Sequence, residues 1–357
     1  MFRKLIFILV VALIVAGCAP APASAPTAAP PTAAPAAGNA PAPIAAATAV
    51  PIVKLRSAYS QINPDAVPLW IAQDVGYFKK NGLDVELIFI DGGTKHAQAL
   101  ISKDVQIGYT SGAPIVSADA AGAELVLIAG IVNKPNYDFI VQPSIKSAAD
   151  LKGKKIAVSG LSGSSYTAAR VALRELFKLD PDKDVTWISI GSEPEREVAM
   201  VAKQIDATVV NPDLSVKAKM DGLVVLDSLW GRDIPYQHTA LATSKAFLKS
   251  NPEQVKNYVQ SIVQAMGYFR DTANKADSIK IMSKYLKLDD QDVLESAYDR
   301  LRTQVFQCAP YVTLDGLKIV IGESKEAMEK KLTEVQVADN SFVKSLDENG
   351  FVKANCK

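Results

Sequence analysis

Histidine and cysteine are both scarce in this 357-residue chain, and their scarcity removes whole classes of chemistry. Two histidines, His96 and His238, cannot build a multi-histidine metal centre. Cys18, Cys308 and Cys356 stand far apart, with no Cys-x-x-Cys pair. Zinc and iron–sulfur sites are therefore not expected, nor any other metal. Basic runs are lacking too: 39 Lys+Arg stand against 38 Asp+Glu, with a pI near 7.6. That balance offers no electrostatic footprint for a phosphate backbone, so nucleic acid is not an expected partner. The motifs of catalysis are missing as well. There is no Gly-x-Ser-x-Gly elbow, no His-Glu-x-x-His, no Gly-x-x-x-x-Gly-Lys-Ser/Thr loop and no Gly-x-Gly-x-x-Gly turn. No catalytic residue and no cofactor is assigned, and the chain is not expected to be an enzyme.

What is present is unevenly distributed. Met1–Lys4 is a short basic start, Leu5–Val15 is unbroken apolar sequence, and Val15-Ala16-Gly17-Cys18 follows. This is the pattern of a secretory signal, too short for the ~20 apolar residues of a spanning helix. The last four residues resemble the bacterial lipobox, which implies cleavage after residue 17 and acylation of Cys18. Between Ala19 and Val53 there is no charge, and nine of the twenty prolines fall there among Ala and Thr. Such a segment cannot bury a core and reads as a disordered or semi-rigid tether over 18–52, able to hold a domain on the order of 100 Å from a bilayer. The expectation is a protein lipid-anchored to the outer face of the bacterial cytoplasmic membrane, not spanning it.

From Lys54 onward strand and helix patterns alternate. Val53–Tyr59, Leu83–Ile88, Val105–Tyr109 and Leu125–Ile131 read as strands, with helices between them. A second series begins after Gln142-Pro143, with strands at Ile156–Val158, Val185–Ile190, Ala207–Val210 and Leu223–Leu226. After a returning strand at Thr239–Ala242 the pattern is helical throughout, from Pro252 to Leu346. This rhythm predicts α/β architecture with mostly parallel sheets and right-handed crossovers. The expected division is a first lobe from 53–142 plus 239–357, carrying the C-terminal helices, and a second lobe from 143–238. No internal sequence repeat stands out.

The run Pro68–Val85, which ends Gly76-Tyr77-Phe78-Lys79-Lys80-Asn81-Gly82-Leu83-Asp84-Val85, resembles the opening of the nitrate/sulfonate/taurine-binding and thiamine-precursor-binding proteins of ABC importers. Val105–Gly112 is similar to that family's third strand, and Asp150–Val158 to the entry of its second lobe. The resemblance covers nearly everything from Lys54 onward. It implies a type II-like periplasmic-binding-protein fold: two lobes, two hinge crossovers, and a small solute clamped between. It also implies ABC permease and ATPase subunits as partners and a monomeric state. One enzymatic relative in the family makes the thiamine pyrimidine with a cysteine-rich iron site. The absence of cysteine between Cys18 and Cys308 argues against that activity here. An extracytoplasmic sensor presenting ligand to a membrane receptor is the alternative.

In a doubly wound sheet, ligands meet the carboxyl ends of the strands. Those ends give the candidate binding residues: Tyr59, Gln61 and Asn63; Gly93 and Thr94; Tyr109, Thr110 and Ser111; Ser162, Ser164, Ser165 and Tyr166; and Asn211. Trp70 is added as a possible stacking surface, although its place on an apolar helix face suits a core residue equally. The serines could equally be plain helix caps. These loops hold Asp65, Asp91, Lys95, Glu193 and Asp213 but no arginine, so a bidentate clamp for an anion is not evident. Aromatics at the strand ends suit a thiamine-precursor pyrimidine or flavin-like ring, and the Ser162–Ser165 amides suit an organic sulfonate equally well. In an oxidising compartment Cys308 and Cys356 are expected to pair.

Overall fold

The computed structural model describes residues 52–356, so the expected signal peptide, Cys18 and the tether up to residue 51 lie outside the described residues. Within them, ten strands form two five-stranded sheets: β1 (Val53–Tyr59), β2 (Leu83–Phe89), β3 (Ile107–Ser111), β4 (Leu125–Val132), β5 (Asp138–Val141), β6 (Lys154–Val158), β7 (Val185–Ser189), β8 (Ala207–Val210), β9 (Val224–Ser228) and β10 (Thr239–Ser244). The first sheet has the order β2-β1-β3-β10-β4 and the second β7-β6-β8-β5-β9. β1 pairs parallel with β2 and β3, and β6 with β7 and β8. One strand in each sheet runs against its neighbours: β10 between β3 and β4, and β5 between β8 and β9. β3 and β4 are buried along their whole length and are almost uniformly apolar or small, as central strands covered on both faces must be.

One expectation needs correction. The division at residues 142/143 leaves Asp138–Val141 in the first lobe, whereas β5 pairs only within the second sheet. Four residues are too few to display a period, so this strand carries no local signal. The chain therefore changes sheets at residues 133–137, and it returns at residues 229–238. The two sheets also share an element order, although no internal sequence repeat stands out. The elements of the two sheets recur at an offset of 100 residues. The helix Gly93–Ile101 corresponds to Glu193–Val201, β3 to β8, and the helix Gly112–Ala120 to Pro212–Met220. Lys103 and Lys203 share a left-handed backbone, φ 64° and 56°, as do Gly122 and Gly222 at 92° and 82°. Identity between the halves is too low for the sequence to reveal what the backbone repeats.

Between β1 and β2 the chain forms a turn at Pro64–Ala66, a helix Val67–Asp74 and a short helix Tyr77–Lys80. Gly76 separates the two helices with φ 82°, a conformation glycine adopts without steric cost. Under the first sheet lies the long helix Pro252–Arg270, which buries Tyr258, Ile262, Met266 and Phe269 in one apolar cluster with Trp70, Tyr109 and Leu241. A second cluster continues from the first lobe into the other, joining Ala113 and Ile115 to Val158, Ala168 and Tyr236. Cys308 and Cys356 are joined by a disulfide with Cα atoms 5.6 Å apart. No helix among the described residues is long and apolar enough to cross a membrane.

Candidate functional site

The strand ends converge on a buried polar network built from both lobes and both crossovers. Asn63 caps the turn after β1 by accepting the Asp65 amide, which holds Asp65 in place. The Tyr109 hydroxyl, rising from β3, donates to the Asp65 carbonyl at 2.5 Å. Asn136, in the first crossover, donates from Nδ2 to Asp65 Oδ1 at 2.6 Å. Its own Oδ1 accepts from Arg300 Nη1 at 2.8 Å. Arg300 ends the helix Gln291–Arg300 of the C-terminal region, and its Nη2 reaches both carboxylate oxygens of Asp213 in the second lobe, at 3.1 and 2.9 Å. His238, in the second crossover, is fully buried. Its Nδ1 lies 3.4 Å from Asp65 Oδ2, and the Tyr137 and Tyr236 rings stand 4.8 and 6.2 Å away. Glu193 closes the arrangement from the second lobe by accepting the Asn211 amide at 2.9 Å.

In this network Asp65 Oδ2, Asn211 Nδ2 and both ring nitrogens of His238 have no hydrogen-bond partner within the protein, nor do Ser60 Oγ, Thr110 Oγ1 and Thr239 Oγ1 at the adjoining strand ends. A buried polar atom left unpaired costs about 1–3 kcal/mol, so folds rarely tolerate several in one place without a use for them. They lie at strand ends, in the turn after β1 and in the second crossover, and come from both lobes. The charge is mainly acidic. Burial raises the pKa of Glu193 and, against the pull of Arg300, that of Asp213. The other nearby arginine, Arg196, is spent on structure: it is fully buried and donates to Gly191 O, Val209 O and Thr208 Oγ1.

The candidates from sequence separate into three groups. Asn63, Tyr109, Thr110, Ser111 and Asn211 are buried and belong to the network or its immediate supports; Gln61 donates from Nε2 to Ser111 Oγ at 3.2 Å and accepts at Oε1 from Asn63 Nδ2 at 2.8 Å. Ser164 joins from the second lobe, its carbonyl accepting the Tyr236 hydroxyl at 3.0 Å. Thr94 and Ser162 meet across the rim, hydroxyl to hydroxyl at 3.2 Å, and so bridge the lobes. Gly93 is a packing residue, since a Cβ there would lie 2.4 Å from Pro114.

The remaining candidates are placed elsewhere. Trp70 is fully buried and stacks on Tyr285 at 4.9 Å, with the half-buried Tyr59 at its edge, so this pair serves the first lobe's core. Ser165 is consumed locally by the Ser159 amide. Tyr166 packs on Trp187 and accepts from Arg170, facing away from Ser164 by two residues of helical rotation.

Six residues of the network were not candidates: Asp65, Asn136, Glu193, Asp213, His238 and Arg300. Arg300 has a faint signal, being three residues beyond Ala297 on the buried side of its helix, where a charge needs a partner. Asn136 has none, because its neighbours in space come from everywhere but its own segment.

A model of the NMT1/THI5-like family matches residues 63–276, well over half of the chain. The chain belongs to this family. Among its relatives, a Brucella abortus protein named for an inferred binding role is 32% identical over 226 residues, spanning 61% of this chain and 67% of the relative. A Brachyspira hyodysenteriae protein named for an inferred role as an ABC-transporter periplasmic binding protein is 24% identical over 262 residues, 69% of this chain and 72% of its own. The family also contains an enzyme: 4-amino-5-hydroxymethyl-2-methylpyrimidine phosphate synthase of Saccharomyces cerevisiae is 25% identical over 251 residues, 65% of this chain and 69% of the enzyme. Among solved structures, the alkanesulfonate-binding protein of Xanthomonas axonopodis bound to MOPS superposes with a TM-score of 0.66 at 20% identity, over 82% of this chain and 99% of its own. The NMT1/THI5-like chain thus has the periplasmic-binding-protein fold, and its buried polar network joins residues of both sheets and both crossovers.

Proposed function

We propose that this protein is an extracytoplasmic solute-binding protein that captures a small organic molecule between its lobes and delivers it to the permease and ATPase subunits of an ABC importer, as a monomer tethered through acylated Cys18. The observation that carries the reading is the set of unpaired polar atoms from both lobes and the second crossover around Asp65 and His238. A solute that satisfied them would draw the lobes together, the clamp behaviour of two-lobed binding proteins. Three carboxylates, Asp65, Glu193 and Asp213, face this region, with Arg300 already engaged. That balance favours a ligand rich in N–H donors, and the Tyr137 and Tyr236 rings beside His238 favour a flat one. An amino-substituted N-heterocycle of the thiamine-precursor pyrimidine class fits both requirements better than an organic sulfonate does.

Binding without turnover is the expected chemistry. Cys308 and Cys356 are committed to their disulfide and so are not free to act as metal ligands. The reading is tested by thermal shift and titration calorimetry of the purified protein with 4-amino-5-hydroxymethyl-2-methylpyrimidine, riboflavin and ethanesulfonate. Stabilisation by the pyrimidine or the flavin, with the compound recovered unchanged, supports it. Stabilisation by ethanesulfonate alone would reverse the ligand class, and conversion of the bound compound would reverse the assignment as a carrier.

A further inference from the structure

The Arg300 side chain is 9% exposed, with its guanidinium carbon 5.8 Å from the centre of the Trp230 ring, in a fold that elsewhere holds a sulfonate. A buried arginine with a planar donor fork is the side chain best suited to grip a sulfonate or carboxylate. Here every described partner of that fork is internal. Nη2 is held by both oxygens of Asp213 and Nη1 by Asn136 Oδ1, and Asn136 is itself fixed by Asp65. Asp213 reaches the fork from the first turn of the helix Pro212–Met220, whose start is set by the Asn211 cap. It is only 15% exposed.

We propose that Asp213 is a specificity-determining residue: its carboxylate occupies the guanidinium fork of Arg300 as a built-in anion and thereby closes the cleft to anionic solutes. An incoming sulfonate would have to displace Asp213 and leave that carboxylate buried without its partner, beside Asp65 and Glu193. Both steps disfavour the anion. Discrimination then arises from a repulsive, pre-filled element and not from the fit of the preferred ligand alone. This inference rests on the reading of the cleft as the solute site and sharpens it.

It predicts that removing the carboxylate exchanges an internal anion for an external one. Asp213→Ala should melt at a lower temperature than the parent and be rescued by sodium ethanesulfonate at a fixed ionic strength made up with sodium chloride. The gain in ethanesulfonate affinity over the parent should be about tenfold or more, the scale on which buried charge pairs act. Asp213→Ala/Arg300→Ala should show no rescue, and Asp213→Asn, which preserves shape and helix start, carries the same test if the alanine variant does not fold. A single variant insensitive to ethanesulfonate, or a double variant rescued equally well, would overturn the proposal. Pyrimidine binding by the parent would survive that outcome, so the two readings fail separately. A parent protein that already binds ethanesulfonate tightly would overturn both.

Discussion

Removing the Cys308–Cys356 bond, by the double substitution Cys308→Ser/Cys356→Ser, should cost about 4 kcal/mol of unfolding free energy. The two residues are 48 positions apart, and chain-entropy treatment of a loop that size gives about 14 cal/mol/K, hence about 4 kcal/mol at 25 °C. The native state has independent reasons to keep the tail in place. Val352 is buried in the cluster beneath the first sheet, and the last helix, Phe351–Asn355, lies on the long helix Pro252–Arg270. The contact is close enough at Gly267 that a Cβ there would fall 1.7 Å from the Asn355 carbonyl. Burial of one valine-sized side chain is worth about 1.5–3 kcal/mol, enough to keep the tail docked without the bond. The loss should therefore come almost entirely from the unfolded chain, which gains freedom. Guanidinium unfolding of the double variant should show a lower midpoint and a steeper slope, since a freer unfolded chain exposes more surface. A loss below about 1 kcal/mol with an unchanged slope would refute the argument. Gly267→Ala supplies a second arm: it should push the tail off, and its cost should not add to that of the disulfide removal, because both act on one contact.

Asp65→Asn should weaken binding of the pyrimidine ligand by roughly ten- to a hundredfold in calorimetry, because it removes an acceptor that no other residue replaces; an unchanged affinity would move the ligand elsewhere. Burial raises the pKa of Glu193, so the folded protein holds that proton more tightly than the unfolded chain does, and the carboxylate penalises the fold increasingly as pH rises above about 4. Glu193→Gln should accordingly gain stability relative to the parent between about pH 4 and 7, and a difference that stays flat across that range would exclude the effect. Cys18→Ser should leave the protein unprocessed or released from the membrane fraction. Retention there after signal removal would rule out the lipid anchor.

The alternation of strand and helix was legible because it is local: period, turn residues and caps sit within a few positions of one another. Ser111 and Asn211 were legible for the same reason, each ending a strand just before a helix. Tyr166 misleads because a loop position says that a residue is near a helix start but not which way it turns. Ser164 faces Tyr236, whereas Tyr166 faces Trp187. Trp70 misleads in the opposite direction, since an aromatic near the strand ends is equally at home in the core, and its partner Tyr285 lies in a helix more than two hundred residues away. Arg300 was only faintly legible and Asn136 not at all, because their roles exist only once the helix Gln291–Arg300 brings Arg300 to Asn136 and Asp213. Local sequence records which groups are available, and tertiary structure decides which of them meet.

The position of β10 has a consequence for how the molecule is made. The second sheet is assembled from one continuous stretch, Asp138 to Ser228, and needs nothing from the rest of the chain. The first is interrupted: β3 and β4 do not pair with each other but are bridged by β10, which is synthesised more than a hundred residues after β4 begins. The second lobe is thus an insertion within the first, and the outer body cannot close its sheet until the inserted one has been threaded through. Closing so long a loop slows folding far more than it lowers final stability. The inserted lobe should acquire protection from hydrogen exchange first, with β3 and β4 following only when β10 arrives between them.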